Sequence, residues 1–353
     1  MNHFGAYLPG NSTVELRPFV VPTPGHGQVL LATKYSAICG SDIRCIYHQH
    51  LGLGPERYQN VVAGHEPAGK IISCGSGVKR FRTGDRVLVY HISGCGLCHP
   101  CRRGFMISCH SVHRAAYGWQ RDGGMAPFML VDEKDLVRLP DELSYADGAQ
   151  VACGFGTAYE ALVKLSVSGM DTVLVTGLGP VGLGTLMLAK AMGASRLIGV
   201  DTNSSRRALA EDLGLATDVV DFNPEALEKI QGLTRGQGVE KAIDCSGRNE
   251  ARQLCIRAAG EGGSIALVGE GGEMNLIPSP DVIHGNKTII GSWVTSIWRM
   301  EELVDRIARW GIHPDVLITH RYELSAVSDA YAMMASGQCG KVAVTFGDED
   351  SDG

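Results

Sequence analysis

From about Asp171 to Val294 the chain alternates short β-branched runs with stretches of helical period. The runs Thr172–Thr176, Leu197–Val200, Asp218–Val220, Lys241–Cys245, Ser264–Val268 and Thr288–Ile290 read as strands. Between them the spacing predicts helices over Pro180–Met192, Ser204–Leu213, Pro224–Leu233 and Ala251–Ala259, several stopping at glycine, which accepts the left-handed C-cap conformation without strain. Such regular alternation predicts a doubly wound parallel sheet. The preceding text differs. Gln28–Ser36, Ala68–Ser73, Arg86–Tyr90 and Phe128–Val131 are strand-like, with Gly and Pro turns between them and little helical period, so a β-rich domain is expected there. After Val294, amphipathic helices at roughly Met300–Trp310 and Ala326–Ala335 precede a last strand, Lys341–Thr345. The acidic end, Gly347–Gly353, reads as a frayed tail.

A chain of 353 residues exceeds what one hydrophobic core usually serves, so two domains are expected. With 44% hydrophobic and 20% charged residues it has the balance of a soluble globular protein. A formal charge of −6 without a basic run speaks against a nucleic-acid partner, which demands a strong positive field. The polar and apolar alternation of Met1–Leu16 is not that of a secretory leader, and no run reaches the roughly 18 apolar residues of a membrane span. A cytoplasmic protein without a membrane partner is the expectation. Eleven cysteines without a leader then point to metal ligands and packing groups rather than disulfides. Five of them, Cys45, Cys74, Cys245, Cys255 and Cys339, have no diagnostic spacing and read as small buried hydrophobes.

Cys95, Cys98, Cys101 and Cys109 follow C-x2-C-x2-C-x7-C, with Gly94, Gly96 and Pro100 at the turns that let thiolates converge. Four thiolates close a tetrahedral shell, so a structural zinc is expected, with His99 and His110 left as solvated neighbours. Three further segments are weak alone and strong together: Cys39-Gly40-Ser41-Asp42, Gly64-His65-Glu66 and Cys153-Gly154-Phe155-Gly156-Thr157. In this order around the knuckle they resemble the zinc-containing medium-chain dehydrogenases, the family of alcohol, sorbitol and threonine dehydrogenases. The resemblance runs from the CGSD segment to the final GKVAV.

It implies an α/β protein with a GroES-like β-rich catalytic domain, residues 1–153 and 295–353, and a Rossmann domain, residues 154–294. By position, Cys39, His65 and Cys153 match the catalytic zinc ligands, Glu66 the acidic residue beside the metal, and Asp42 the carboxylate that orients a ligand histidine. The residue types make chemical sense on their own. Two thiolates and an imidazole leave one zinc position open, where a Lewis acid favours loss of a hydroxyl proton. Ser41, two residues after a ligand, is placed to accept that proton. Liver-type relatives end this relay at a histidine where this chain has Arg44, which does not exchange protons near neutrality, so His48, the cofactor ribose or water is the expected terminus. Sorbitol dehydrogenases have glutamate as the third metal-site residue, where this chain has Cys153. Family position names Tyr47, His48, Trp119, Trp293 and Trp298 as pocket residues.

Gly177-Leu178-Gly179-Pro180-Val181-Gly182 is G-x-G-x-x-G between a predicted strand and helix, where free amides and the helix dipole favour a pyrophosphate. Asp201 ends the next strand, 19 residues beyond Gly182. A carboxylate there binds both hydroxyls of the adenosine ribose and repels a 2′-phosphate, which predicts NAD, although Arg206 and Arg207 nearby are of the type that accommodates the phosphate. Asp201 is also a possible N-cap for the helix that follows. Thr157, Val268 and Gly269 resemble cofactor-side positions of the family, and Lys341 a basic position at the pyrophosphate. The expected enzyme is a zinc-dependent, NAD-linked dehydrogenase of a small alcohol, polyol, cyclitol or sugar, a homodimer or homotetramer joined at the edge strand near Thr288–Val294. The alternatives are an NADP-dependent carbonyl reductase on the same scaffold, a zinc-free reductase, and a non-catalytic crystallin-like relative. The complete ligand sets weigh against the last two.

Overall fold

A computed structural model of the chain describes residues 3–347; the predicted frayed tail lies, from Asp348 on, outside the described residues. The chain divides into two compact units, one running through Gly156 and resuming at Thr295, the other spanning Thr157–Val294. Among the described residues no helix is long and apolar enough to cross a membrane.

The first unit is β-rich. It opens with a hairpin of β1 (His3–Gly10) and β2 (Thr13–Phe19), which the sequence reading did not assign. β3 (Gln28–Ile38), β4 (Glu66–Cys74), β5 (Arg86–Val89), β8 (Phe128–Asp132) and β9 (Leu136–Arg138) follow, with the two-residue strands β6 (Ile92–Ser93) and β7 (Ala115–Ala116) paired between them. β3 carries the sheet: it pairs with β4 and β8, and its far end pairs with β17. Nearly every β3 side chain is buried, the polar Thr33, Lys34 and Ser36 included, which accounts for the absence of a clean apolar and polar alternation.

The second unit is a parallel sheet of β10 (Thr172–Thr176), β11 (Arg196–Asp201), β12 (Asp218–Asp221), β13 (Val239–Asp244), β14 (Ala259–Leu267) and β15 (Thr288–Gly291), in the order β12-β11-β10-β13-β14-β15. The predicted Thr172–Thr176 run coincides with β10, and the other five overlap their strands with ends shifted by one to five residues. Helices Pro180–Ala191, Ser204–Asp212, Ala226–Leu233 and Asn249–Ala258 fill the crossovers. The strand order reverses between β10 and β13, and in such sheets ligands bind beyond the carboxyl ends of the strands at that switch point. Back in the first unit, helices Ile297–Trp310 and Val327–Ser336 flank β16 (Ile318–Glu323), and β17 (Lys341–Thr345) closes the seven-stranded sheet in the order β16-β17-β3-β4-β5-β9 with β8 on β3.

Candidate active site

Sheet register builds one end of the first unit into a cluster. Ala37 of β3 faces Glu66 at the start of β4, and Ile38 faces Val342 of β17. Cys39, His65, Glu66 and Lys341 therefore meet beside the π-helical turn Val151–Phe155 that carries Cys153, a distortion common at functional sites. Ligand atoms of Cys39, His65, Glu66 and Cys153 all lie within 4.8 Å of one another. The position before the histidine must be glycine: Gly64 has φ +89°, and a β-carbon there would lie 2.6 Å from Met125 Cγ and 2.7 Å from Ser36 Oγ.

Asp42 is fully buried and does two things. Its Oδ2 accepts from the backbone N–H of Cys39 at 2.9 Å, and its Oδ1 lies 2.7 Å from His65 Nδ1. That fixes the tautomer, with Nδ1 carrying the proton toward Asp42 and Nε2 left free as a metal ligand. Glu66 and Lys341 form an ion pair, both almost without exposure. Burial pushes the Glu66 carboxyl up to about 7, while the Lys341 ammonium pulls the other way. Lys341, expected at the pyrophosphate or solvated, is not solvated: its ammonium is buried on Glu66 because β17 pairs with the end of β3.

His91 was missed from the sequence. It is buried, its Nδ1 bonds the Ala152 carbonyl at 3.0 Å, and its ring centroid is 5.1 Å from that of His65. Burial pushes the imidazole down to about 3, with the neighbouring His65 adding to the effect, so it is held neutral. The available signal was a histidine inside the apolar run Val87–Ile92. Trp119 stands edge-on to His65, with centroids 6.5 Å apart. Tyr47, expected as a pocket wall, is packed in the core against Tyr331, with centroids 5.5 Å apart. Trp298 lies on Gly104 and donates to the Arg103 carbonyl at 3.2 Å, in the knuckle lobe. Ser41 is half-buried on the first turn after Cys39, and His48 is exposed, bonded to Ser12 at 2.8 Å.

The knuckle sulfurs of Cys95, Cys98, Cys101 and Cys109 also lie within 4.8 Å of one another. Cys95 and Cys101 are 4.0 Å apart and Cys98 and Cys109 3.8 Å, matching the edge of about 3.8 Å in a zinc tetrathiolate tetrahedron. Backbone N–H groups of Cys98 and Leu97 pull the Cys95 thiol down to about 6, whereas burial pushes that of Cys101 up to about 12. His99 and His110 are exposed. Of the remaining cysteines, Cys255 and Cys339 are buried, and Cys45, Cys74 and Cys245 half-buried.

In the second unit, Gly177 has φ +84°, and a β-carbon on Gly182 would lie 1.9 Å from the Gly177 carbonyl oxygen, so the turn into the helix at Pro180 admits only glycine at both. Asp201 accepts from Leu178 N–H at 2.6 Å and from Asn203 N–H at 2.7 Å. The cap of the Ser204–Asp212 helix is Asn203, which accepts from Ser205 and Arg206 N–H, and this corrects the expected capping role of Asp201. A β-carbon placed on Gly179 would lie 3.7 Å from the Arg206 guanidinium, while Arg207 is spent on Asp221 and the Asp201 carbonyl. Thr157 is half-buried in the first turn of helix Gly156–Lys164, and Val268 and Gly269 both donate N–H to the Asp244 carbonyl, at 2.9 and 2.8 Å.

A family model described as zinc-binding dehydrogenase matches residues 180–309, and one described as alcohol dehydrogenase GroES-like domain matches residues 25–141. The chain belongs to the zinc-binding alcohol dehydrogenase family, oxidoreductases with a GroES-like and a Rossmann-type domain. It is 51% identical over 348 residues, 97% of this chain and 98% of the other, to an uncharacterized zinc-type alcohol dehydrogenase-like protein of Escherichia coli K12. An L-threonine 3-dehydrogenase of Colwellia psychrerythraea is 32% identical over 324 residues, covering 91% and 93% of the two chains. Among solved structures, an alcohol dehydrogenase of E. coli CFT073 complexed with NADH has a TM-score of 0.86 at 26% identity, covering 98% and 99% of the two chains. A protein of Sinorhizobium meliloti 1021 described as a zinc-binding dehydrogenase, bound to NADP, has a TM-score of 0.86 at 26% identity, covering 98% and 100%.

Proposed function

We propose that this protein is a zinc- and NAD-dependent dehydrogenase that reversibly oxidises a secondary hydroxyl of an alcohol, polyol, cyclitol or sugar to a ketone. The observation that carries the reading is the buried Cys39–His65–Cys153 cluster with Asp42 locked on His65 Nδ1. Two thiolates and one imidazole make an open zinc site, and the four knuckle thiolates a closed one, so the reading requires two zinc ions per chain. When bound, zinc supplies a positive charge that favours loss of a hydroxyl proton, and NAD supplies the hydride acceptor.

The chain's own residues do the rest. Asp42 holds the imidazole of His65 in its ligating orientation. Ser41 takes the hydroxyl proton and passes it outward. His91 and Trp119 give the cluster one neutral polar and one aromatic neighbour, which suits a hydroxylated carbon skeleton. The glycine loop seats the pyrophosphate, and Asp201 takes the adenosine ribose hydroxyls. An NADP-dependent reductase is the second reading, favoured by the Arg206 guanidinium beside Gly179. Nucleotide reduction across a panel of polyols, cyclitols, sugars and secondary alcohols, run with NAD and with NADP, tests the proposal. Turnover of hydroxyl substrates with NAD is the expected result; turnover with NADP alone selects the second reading.

A further inference from the structure

Asp244, at the end of β13, is fully buried. Its Oδ1 accepts from Thr176 Oγ1 at 3.1 Å, Ser246 N at 3.0 Å and Ser246 Oγ at 2.6 Å. Its Oδ2 accepts from Gly247 N at 3.1 Å and Arg252 Nε at 3.3 Å. Arg252, in helix Asn249–Ala258, is itself buried. Its Nη1 donates to the Glu273 carbonyl at 3.0 Å, and Nη2 to the carbonyls of Gly269 and Gly271, both at 2.7 Å. One planar guanidinium thus joins the last residue of β13 to three main-chain carbonyls of the loop after β14. A methyl-rich side chain would fill the same space without a buried charge, so packing alone does not account for arginine here.

The surrounding backbone is in direct contact. A β-carbon on Gly269 would lie 2.2 Å from Gly247 N, one on Gly272 2.3 Å from Gly247 O, and one on Gly177 2.8 Å from Ser246 Cβ. The glycine loop, the Ser246–Gly247 turn and the Gly269–Glu273 loop therefore form one surface at the carboxyl edge of the sheet. Asp201 ends β11, on one side of β10, whereas β13 and β14 lie on the other. A dinucleotide with its pyrophosphate at the glycine loop and its adenosine ribose on Asp201 lays its nicotinamide half over the ends of β13 and β14.

We infer that Arg252 is a positioning residue for the nicotinamide half of the cofactor, fixing the Gly269–Glu273 loop through three carbonyls while Asp244 holds the guanidinium. The inference rests on the dinucleotide reading above. Lysine keeps the charge beside Asp244 but lacks the planar fork that reaches four acceptors at once. The experiment uses the full zinc-loaded chain and compares wild type with Arg252→Lys and Arg252→Gln. NADH affinity is read by nicotinamide fluorescence, ADP-ribose affinity by calorimetry, and folding by thermal melting.

Each folded variant is expected to weaken NADH at least about tenfold while ADP-ribose, which lacks the nicotinamide half, stays within about threefold. Equal weakening of both ligands, or of neither, overturns the inference, as does failure of both variants to fold, which makes Arg252 a brace of the domain. Wild type binding neither ligand instead overturns the dinucleotide reading.

Discussion

His65 reaches the cluster with only one nitrogen available, and Asp42 decides which. Asp42→Asn keeps the shape of that side chain and removes its charge, so it is expected to lower turnover or zinc affinity about 10- to 100-fold with little change in melting temperature. Steady-state kinetics beside metal titration checks this. Cofactor choice turns on Asp201. A ribose hydroxyl pair satisfies its carboxylate, whereas a 2′-phosphate brings like charges together in a partly desolvated crevice. The expected preference for NAD is about two to four orders of magnitude. Asp201→Ala should reduce the NAD/NADP ratio of catalytic efficiencies about 100-fold, with Arg206 beside the loop able to approach the phosphate. An unchanged ratio removes Asp201 from the ribose.

At this scale the spaced cysteines and the glycine loop were legible, because metal and phosphate chemistry dictates residue types at fixed intervals. The burial of Lys341 and of His91 was not. Their partners, Glu66 and the Ala152 carbonyl, lie 275 and 61 residues away in the chain, and only the sheet brings them together.

Elements show the same division. The runs Thr172–Thr176 and Lys341–Thr345 were readable to the residue because each has four consecutive buried positions and at least three β-branched residues. β16 was not, since its burial alternates and leaves half of His320–Glu323 exposed. β14 begins five residues before the predicted run, through Gly260, Gly262 and Gly263, which no propensity assigns to a strand. Two predictions belong to elements. The regular structure between the knuckle cysteines is limited to the short helices His99–Arg102 and Met106–Ser108, so Cys98→Ser is expected to cost several kcal/mol of stability through the loss of its metal, read as an earlier unfolding midpoint in denaturant. β15 is the end strand of its sheet, with Trp293 exposed just beyond it, and we propose it as the seam of a homo-oligomer. A proline at Ile289 or Ile290 should shift the sedimentation of such an assembly toward monomer, and a wild type that is monomeric and fully active contradicts the seam.

For the whole molecule, the family is established and the reaction of this member is what we propose. Two complete thiolate-containing clusters predict about two zinc ions per chain by elemental analysis. Chelation that empties only the open site should abolish turnover with the fold retained. We propose that the Cys39–His65–Cys153 site drives hydride transfer from a hydroxyl-bearing carbon to NAD. The most direct test is NADH formation across the hydroxyl-substrate panel by zinc-loaded wild type beside a folded His65→Ala protein. NADH from at least one secondary alcohol or polyol is expected with the wild type, and none above background with His65→Ala. Equal rates in the two proteins, or a wild type holding two zinc ions that reduces no NAD on any hydroxyl substrate, would contradict it.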